Sequence, residues 1–156
     1  MLKKLILNLA IKGYRCLQHC VNAASVGVQG IVLNSQNECL LVEHTYSQGW
    51  CLPGGGVKSN EAPIEGLKRE LMEEVGIEIT GQPTLFQIYH QNCNGIDDYP
   101  ILFIVKEYKE HDIKLPNLEI QRSCWFKLDH LPKEINPASH RRLLEISHLC
   151  PVHTKW

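Results

Sequence analysis

The chain has almost no net charge: 16 Lys and Arg stand against 17 Asp and Glu, leaving −1 over 156 residues. Without a global basic field, attraction to a phosphate backbone is disfavoured, and a nucleic-acid polymer is not expected as a partner. Also missing is any uninterrupted apolar run of the ~18–20 residues needed to span a bilayer, so no transmembrane segment is expected. The seven cysteines, at 16, 20, 39, 51, 93, 124 and 150, are odd in number and scattered, without the dense framework of a disulfide-stapled secreted domain. Reduced thiols and a cytoplasmic setting are the expectation. There is no internal repeat and no low-complexity tract. A chain of this length forms one domain that buries about 68–70% of its unfolded surface, enough for a core without covalent staples.

The first residues, Met1 to Gly13, briefly resemble a secretory leader, but Asn8 interrupts the apolar run and Lys12 ends it. Leu2, Leu5, Ile6 and Leu9 recur at helical spacing beside Lys3, Lys4 and Lys12, so residues 1–22 are expected to form an amphipathic helical segment docked on a single domain over 23–156. Cys16, His19 and Cys20 lie close together in that segment, but a closed zinc site needs four ligands and no second pair has suitable spacing. Helix side chains are the expected reading of that trio.

From Ser25 to Leu33 the chain is rich in β-branched residues and is expected to be a strand, with Glu38 to His44 as its hairpin partner across the turn at Asn34 to Asn37. Trp50 to Gly56 contains Pro53 and three successive glycines, which exclude a helix and predict a specially shaped loop. Pro63 to Val75 carries Ile64, Leu67, Leu71 and Val75 at helical spacing, with Pro63 at a first-turn position and Gly76 as C-terminal cap. Further strands are expected at Ile77 to Thr80, Thr84 to Gln91, Pro100 to Tyr108 and Glu119 to Leu128, with a polar loop at Asn92 to Asp98 and a closing helix from Pro137 to Leu149. The near-continuous apolar run of the third strand places it centrally.

The residues that carry chemistry are gathered on the first of these helices. At about 100° per residue, Glu70, Glu73 and Glu74 fall within a roughly 100° arc, next to the apolar arc that packs inward. Carboxylates so close repel one another, and a hard divalent cation, magnesium above all, offsets that repulsion while bridging to substrate phosphates. Arg69, four residues before Glu73, is placed to pair with a carboxylate on the same helix. The glycines at 54 to 56 let main-chain groups approach a metal or phosphate. A charged helix alone is usually a solvated face; the glycine turn, arginine and spaced glutamates together are not.

Gly55, Glu61, Arg69, Glu70, Leu71, Glu73, Glu74, Gly76 and Ile77 resemble the Nudix box, Gly-x5-Glu-x7-Arg-Glu-(apolar)-x-Glu-Glu-x-Gly-(apolar), at every fixed position, and Trp50 to Gly55 resembles the family's approach to it. The resemblance implies an α/β (α+β) fold, the Nudix α/β/α sandwich with a mixed β-sheet between helices. It also implies a hydrolase that cleaves a phosphoanhydride bond in a nucleoside triphosphate or nucleoside diphosphate-linked small molecule. Magnesium is the implied cofactor, with manganese as a substitute. Carried over by position, Glu73 and Glu74 become metal ligands, the Gly55 carbonyl a third, and Glu70 a ligand or the base that activates water. Arg69 would orient a box glutamate, Glu61 would brace loop against helix, and Gly54 and Gly76 would support the box. Glu119 would add a carboxylate for a second metal, ranked above Asp97 and Asp98.

Tyr46, Trp50, Tyr89 and Trp125 are candidates to stack on a base, a contact that contributes about 1–3 kcal/mol in single-strand binders; core packing is the competing role. His90 is a weaker substrate contact. Markers that narrow the substrate in parts of the family are absent at Cys93 to Gly95. A homodimer is compatible with the resemblance. The alternatives are a non-catalytic nucleotide-sensing module of the same fold, or a scaffold that uses its amphipathic N-terminus as a contact surface.

Overall fold

The computed structural model describes residues 24–93 and 95–156. The expected helical segment over 1–22, with the Cys16, His19 and Cys20 trio, lies outside the described residues. Ten strands and two helices follow in chain order: β1 (Ser25–Val32), β2 (Glu38–His44), β3 (Trp50–Cys51), β4 (Gly54–Gly56), α1 (Pro63–Val75), β5 (Ile77–Ile79), β6 (Thr84–Ile88), β7 (Gln91–Cys93), β8 (Ile96–Val105), β9 (Tyr108–Glu110), β10 (Ile120–Lys127) and α2 (Pro137–Ile146). One sheet has the order β4-β1-β8-β6, with β7 also on β8; a second runs β10-β2-β3; β5 and β9 form a separate pair. Only β1 and β8 are parallel, so the main sheet is mixed.

Strand period sets up the layers, because alternate residues leave opposite faces. Val28 and Val32 of β1, Leu40 and Val42 of β2, and Ile101, Phe103 and Val105 of β8 join Leu67, Leu71 and Val75 of α1 in one core. Their neighbours Ile31, Cys39, Leu41 and Leu102 join Leu143 of α2 in the other. The strands therefore lie between two helical layers, the expected sandwich. The apolar face of α1 approaches the sheet closely at Gly30, where a Cβ would sit 3.2 Å and 3.3 Å from the Leu71 methyls and 3.4 Å from Leu67.

Both helices begin and end for local reasons. Pro63 opens α1 after an extended Ala62 that provides no side-chain cap, and Gly76 at φ 67° closes it, as expected from the sequence. Asn136 caps α2 by accepting from the amides of Ala138 and Ser139. That helix ends at Ile146 rather than Leu149.

Three expectations are corrected. β1 and β2 do not form a hairpin ladder: only an isolated bridge, Leu33 to Cys39, joins them beyond the turn. Both edges of β1 are taken, by β4 and β8, so β2 pairs instead with β10 and β3. The glycine segment is not a free loop but an edge strand against β1, with Gly54 opposite Gln29 and Gly55 opposite Val28. The polar loop at 92–98 contracts to the tip of a hairpin, because Gln91, Asn92 and Cys93 pair with Asp98, Asp97 and Ile96.

No helix among the described residues is long and apolar enough to cross a membrane. Cys39, Cys51, Cys93, Cys124 and Cys150 are all free thiols.

Gly30→Val is expected to lower the unfolding free energy by about 1–3 kcal/mol, the usual cost of overpacking a core, since the added methyls would press on Leu67 and Leu71. Urea unfolding of the variant against the parent chain measures it.

Candidate active site

Arg69 is the hub. Its Nε and Nη2 donate to Glu61 Oε1 and Oε2, both at 2.8 Å, in a two-pronged fork; Nη1 donates to Glu70 Oε1 at 2.5 Å; and Nη2 also reaches the Gly56 carbonyl at 3.0 Å. One guanidinium thus ties the edge strand β4, the loop that follows it and α1 together. Glu61 accepts in addition from the Lys58 amide at 2.8 Å. Hydrogen bonds from Arg69 and then from Lys58 hold the Glu61 carboxyl down to about 2. The expected partner of Arg69 on the same helix, Glu73, is the more distant one at 3.6 Å.

Glu70 and Glu74 flank the glycine strand. A Cβ on Gly55 would lie 2.6 to 2.8 Å from the Glu70 carboxyl atoms, so the missing side chain is what admits that carboxylate. Glu74 is only 4% exposed, and its Oε2 accepts from the Gly54 amide at 2.8 Å. Burial pushes the Glu74 carboxyl up to about 8, opposed by that amide and reinforced by the charges of Glu70, Glu119 and Glu73. Burial also raises Glu70, against the pull of Arg69. Glu73 is exposed, on the solvent side of the same arc.

Glu119 arrives from a different part of the chain. Its amide donates to the Asn117 side chain at 2.9 Å, and its carbonyl accepts from Thr45 at 2.8 Å, setting it beside the end of β2. Tyr46, half-buried there, has its phenol pushed up to about 12 by burial, then by Glu74 and Glu119. Tyr46 stacks on His44 with ring centroids 4.9 Å apart. His44 was not singled out in the sequence. Its Nδ1 is buried without a hydrogen-bond partner, and burial lowers its proton affinity although Glu119 opposes the shift. The i, i+2 period running Leu40, Val42, His44 places it on the same face as the core residues of β2, which is the clue that was available.

The set is thus an all-oxygen donor group around a side-chain-free glycine: two shielded carboxylates, Glu70 and Glu74, with Glu73 and Glu119 near enough to act on them electrostatically. Such donors suit a hard divalent ion. Among the described residues no three His, Cys, Asp or Glu side chains converge as a finished cage. Glu70 turns to Arg69, Glu74 to the Gly54 amide, and Glu73 outward, so the convergence expected from the helical arc is met by Glu70 and Glu74 alone.

Two of the four aromatic candidates are corrected. Tyr89 is 1% exposed; its hydroxyl donates to Glu145 at 2.6 Å, and its ring packs against the Arg142 guanidinium and Trp156. Trp50, 7% exposed, packs edge-on against Phe126, while its main chain bonds Glu134 and Asn136. Both belong to the core on the α2 side and have no free face for a base, because a large ring next to an apolar layer is stabilised most by burial. Tyr46 and Trp125 are half-buried, the latter stacked on Tyr108. Asp97 accepts from His90, and Asp98 from Ser25 and Gln91, so both are held within the β7–β8 region; His90 is further fixed by Lys155 Nζ at 2.7 Å.

The two glycines separate in kind. Gly54, at φ 138°, has no room for a Cβ, which would meet the Val28 carbonyl oxygen at 2.2 Å, whereas a Cβ at Gly55 meets only the movable end of Glu70. Gly54→Ala is expected to cost at least about 2 kcal/mol of stability, and Gly55→Ala to leave the melting temperature nearly unchanged while displacing Glu70. Differential scanning calorimetry on both variants distinguishes them. Because the folded-state Glu61 carboxyl is lowered from about 4.5 to about 2, its contribution is fully present above the higher value and is lost as pH falls through the lower one. The stability gap between the parent and Glu61→Gln should therefore be constant above pH 5 and close toward pH 2, as read from denaturation midpoints across that range.

Comparison with known proteins bears on the whole arrangement. The NUDIX domain family model matches residues 23–145. A MutT-like protein of Streptomyces ambofaciens is 33% identical over 121 residues, covering 78% of this chain and 75% of that protein. The m7GpppN-mRNA hydrolase of Saccharomyces cerevisiae is 28% identical over 132 residues, 82% of this chain, which spans only 13% of the yeast protein's length. Among solved structures, a MutT NUDIX hydrolase from Burkholderia pseudomallei superposes with a TM-score of 0.69 at 23% identity, over 79% of this chain and 98% of that one, a likeness of fold. The family match takes in β1 to β10, α1, nearly all of α2 and each carboxylate described above, and the chain belongs to the Nudix domain family.

Proposed function

We propose that this protein is a hydrolase that cleaves a phosphoanhydride bond in a nucleoside triphosphate or nucleoside diphosphate-linked small molecule, with magnesium held by the box glutamates. The observation that carries this reading is Glu74. It is a buried carboxylate anchored by one main-chain amide, with no cationic side chain bonded to it among the described residues and with the charges of Glu70, Glu73 and Glu119 around it. Leaving such a carboxylate buried and unpaired is costly, and a divalent cation is the group that would offset it. The name of one relative, an mRNA hydrolase, supports hydrolysis as the reaction class.

Glu70 and Glu74 would hold the ion, with Glu73 and the Gly55 carbonyl as the further ligands the box implies, and Glu119 would supply an additional carboxylate. When bound, magnesium supplies neutralisation of the diphosphate charge and acidification of a coordinated water. The chain's own residues do the rest. Arg69 and Glu61 hold α1 against β4 and the loop after it, which keeps Glu70 and Glu74 beside the glycine strand. Glu70 accepts the proton of the attacking water as its oxygen bonds to phosphorus, and the anhydride P–O bond breaks with its electron pair leaving on the departing phosphate. Tyr46 and Trp125 are the aromatic surfaces left for a base. The five unpaired thiols suit a cytoplasmic setting.

Glu74→Gln is expected to fold with a melting temperature close to that of the parent, since the amide is nearly isosteric and its oxygen can still accept from the Gly54 amide, and to lose at least about 100-fold in turnover. A panel of nucleoside triphosphates, nucleotide sugars, ADP-ribose and dinucleoside polyphosphates, assayed with magnesium, with manganese and with a chelator, identifies the substrate and the bond cut. Undiminished turnover in the chelator, or in Glu74→Gln, overturns the proposal.

A further inference from the structure

Tyr46 carries a hydroxyl that the fold leaves unused. The exit of β2 is stapled to the segment before β10: Thr45 donates through its amide to the Glu119 carbonyl and through its hydroxyl to the Leu118 carbonyl, both at 2.8 Å, and His44 stands opposite Ile120 in the ladder. Two residues before His44 on the same face, Val42 pairs with Cys51 of β3, and both pack with Leu71 and Val75 of α1 in one core. The ring of Tyr46 stacks on the His44 imidazole, with centroids 4.9 Å apart and planes 25° apart, which keeps it on that side of β2, toward the helical turn that carries Glu70 and Glu74. Burial first, then the charges of Glu74 and Glu119, raise its phenol; burial and then Glu74 raise the Cys51 thiol nearby. Both side chains therefore stand within electrostatic reach of the buried carboxylate.

Among the described residues the Tyr46 hydroxyl makes no hydrogen bond, whereas Tyr89, the buried tyrosine of the opposite core, spends its own on Glu145. A polar group drawn partly out of water without a partner is unfavourable until an acceptor arrives. A tyrosine hydroxyl is protonated at neutral pH and brings a donor without adding charge, so it suits an anionic acceptor that the site holds only when loaded. We infer that the Tyr46 hydroxyl donates a hydrogen bond to a non-bridging phosphate oxygen of the substrate, from a ring whose other face is backed by His44. This role rests on the cation site proposed above, because a divalent ion shared between carboxylates and phosphates is what brings an anion among glutamates. It belongs to the hydroxyl and is separate from any stacking by the free ring face, so it concerns the phosphate chain whatever the nucleoside. The bond is charge-assisted, and its loss should weaken binding by about tenfold or more.

Tyr46→Phe keeps the ring and its stack and removes only the hydroxyl. Imidodiphosphate, a diphosphate with a nitrogen bridge and no nucleoside, is the probe, titrated calorimetrically in magnesium. The variant should bind it about tenfold or more weakly than the parent, with an unchanged melting temperature and an unchanged affinity for manganese read by electron paramagnetic resonance. Equal binding by parent and variant overturns the inference and leaves the cation site standing, and a difference confined to methylene-bridged nucleotides does the same, since it marks a base contact. A parallel fall in manganese affinity also overturns it, because Tyr46 would then support the metal and not the phosphate. So does a parent chain that takes manganese but no imidodiphosphate. A parent chain that binds no manganese overturns the cation site itself, and this role with it.

Discussion

The geometry of the site depends on a single guanidinium. Arg69 spends its donors on Glu61, Glu70 and the Gly56 carbonyl, and the three acceptors belong to the loop, the helix and the edge strand respectively. A lysine has no planar fork and would satisfy at most part of this set. Together with the Gly54 amide bond to Glu74 and the ladder to β1, that group fixes a strand of three glycines against a helix.

Around this tie the molecule collects negative charge in a place that folding alone would avoid. Glu74 is buried and Glu70 half-buried, and each feels the others and Glu119. Tyr46 and His44 extend the shielded region across to β2, where His44 Nδ1 is left without a partner. Such concentrations of desolvated like charge are typical of sites that bind a cation or handle protons. The scaffold tolerates it because α1 is secured elsewhere, by Leu67, Leu71 and Val75 in one core and by its close approach to Gly30.

The opposite core handles its polar groups differently. Arg142 and Glu145, both fully buried, pair at 3.0 Å, and Glu145 also accepts from Tyr89, while Arg142 lies over the rings of Tyr89 and Trp156. Here a buried carboxylate meets a buried guanidinium, whereas Glu74 meets only an amide. The contrast between the two faces of one sheet separates a structural ion pair from a candidate ligand.

Sequence by itself determined what depends on local spacing. The span of α1 from Pro63 to Val75, the strand from Glu38 to His44 and the clustering of glutamates on one arc follow from 3.6- and 2-residue periods and from Pro and Gly chemistry at the ends. The box pattern from Gly55 to Ile77 specified the family in the same local way. Tertiary structure alone decided which strands pair, because β1 and β2 have turn chemistry suited to a hairpin yet β1 is claimed on both edges by more distant partners. It also decided that Arg69 bonds Glu61, eight residues away and off the helix, before Glu73 at the favourable i+4 position, and that Trp50 and Tyr89 turn into the core while Tyr46 faces the carboxylates. Those outcomes rest on desolvation and on partners brought from far along the chain, neither of which is written in the spacing of neighbouring residues.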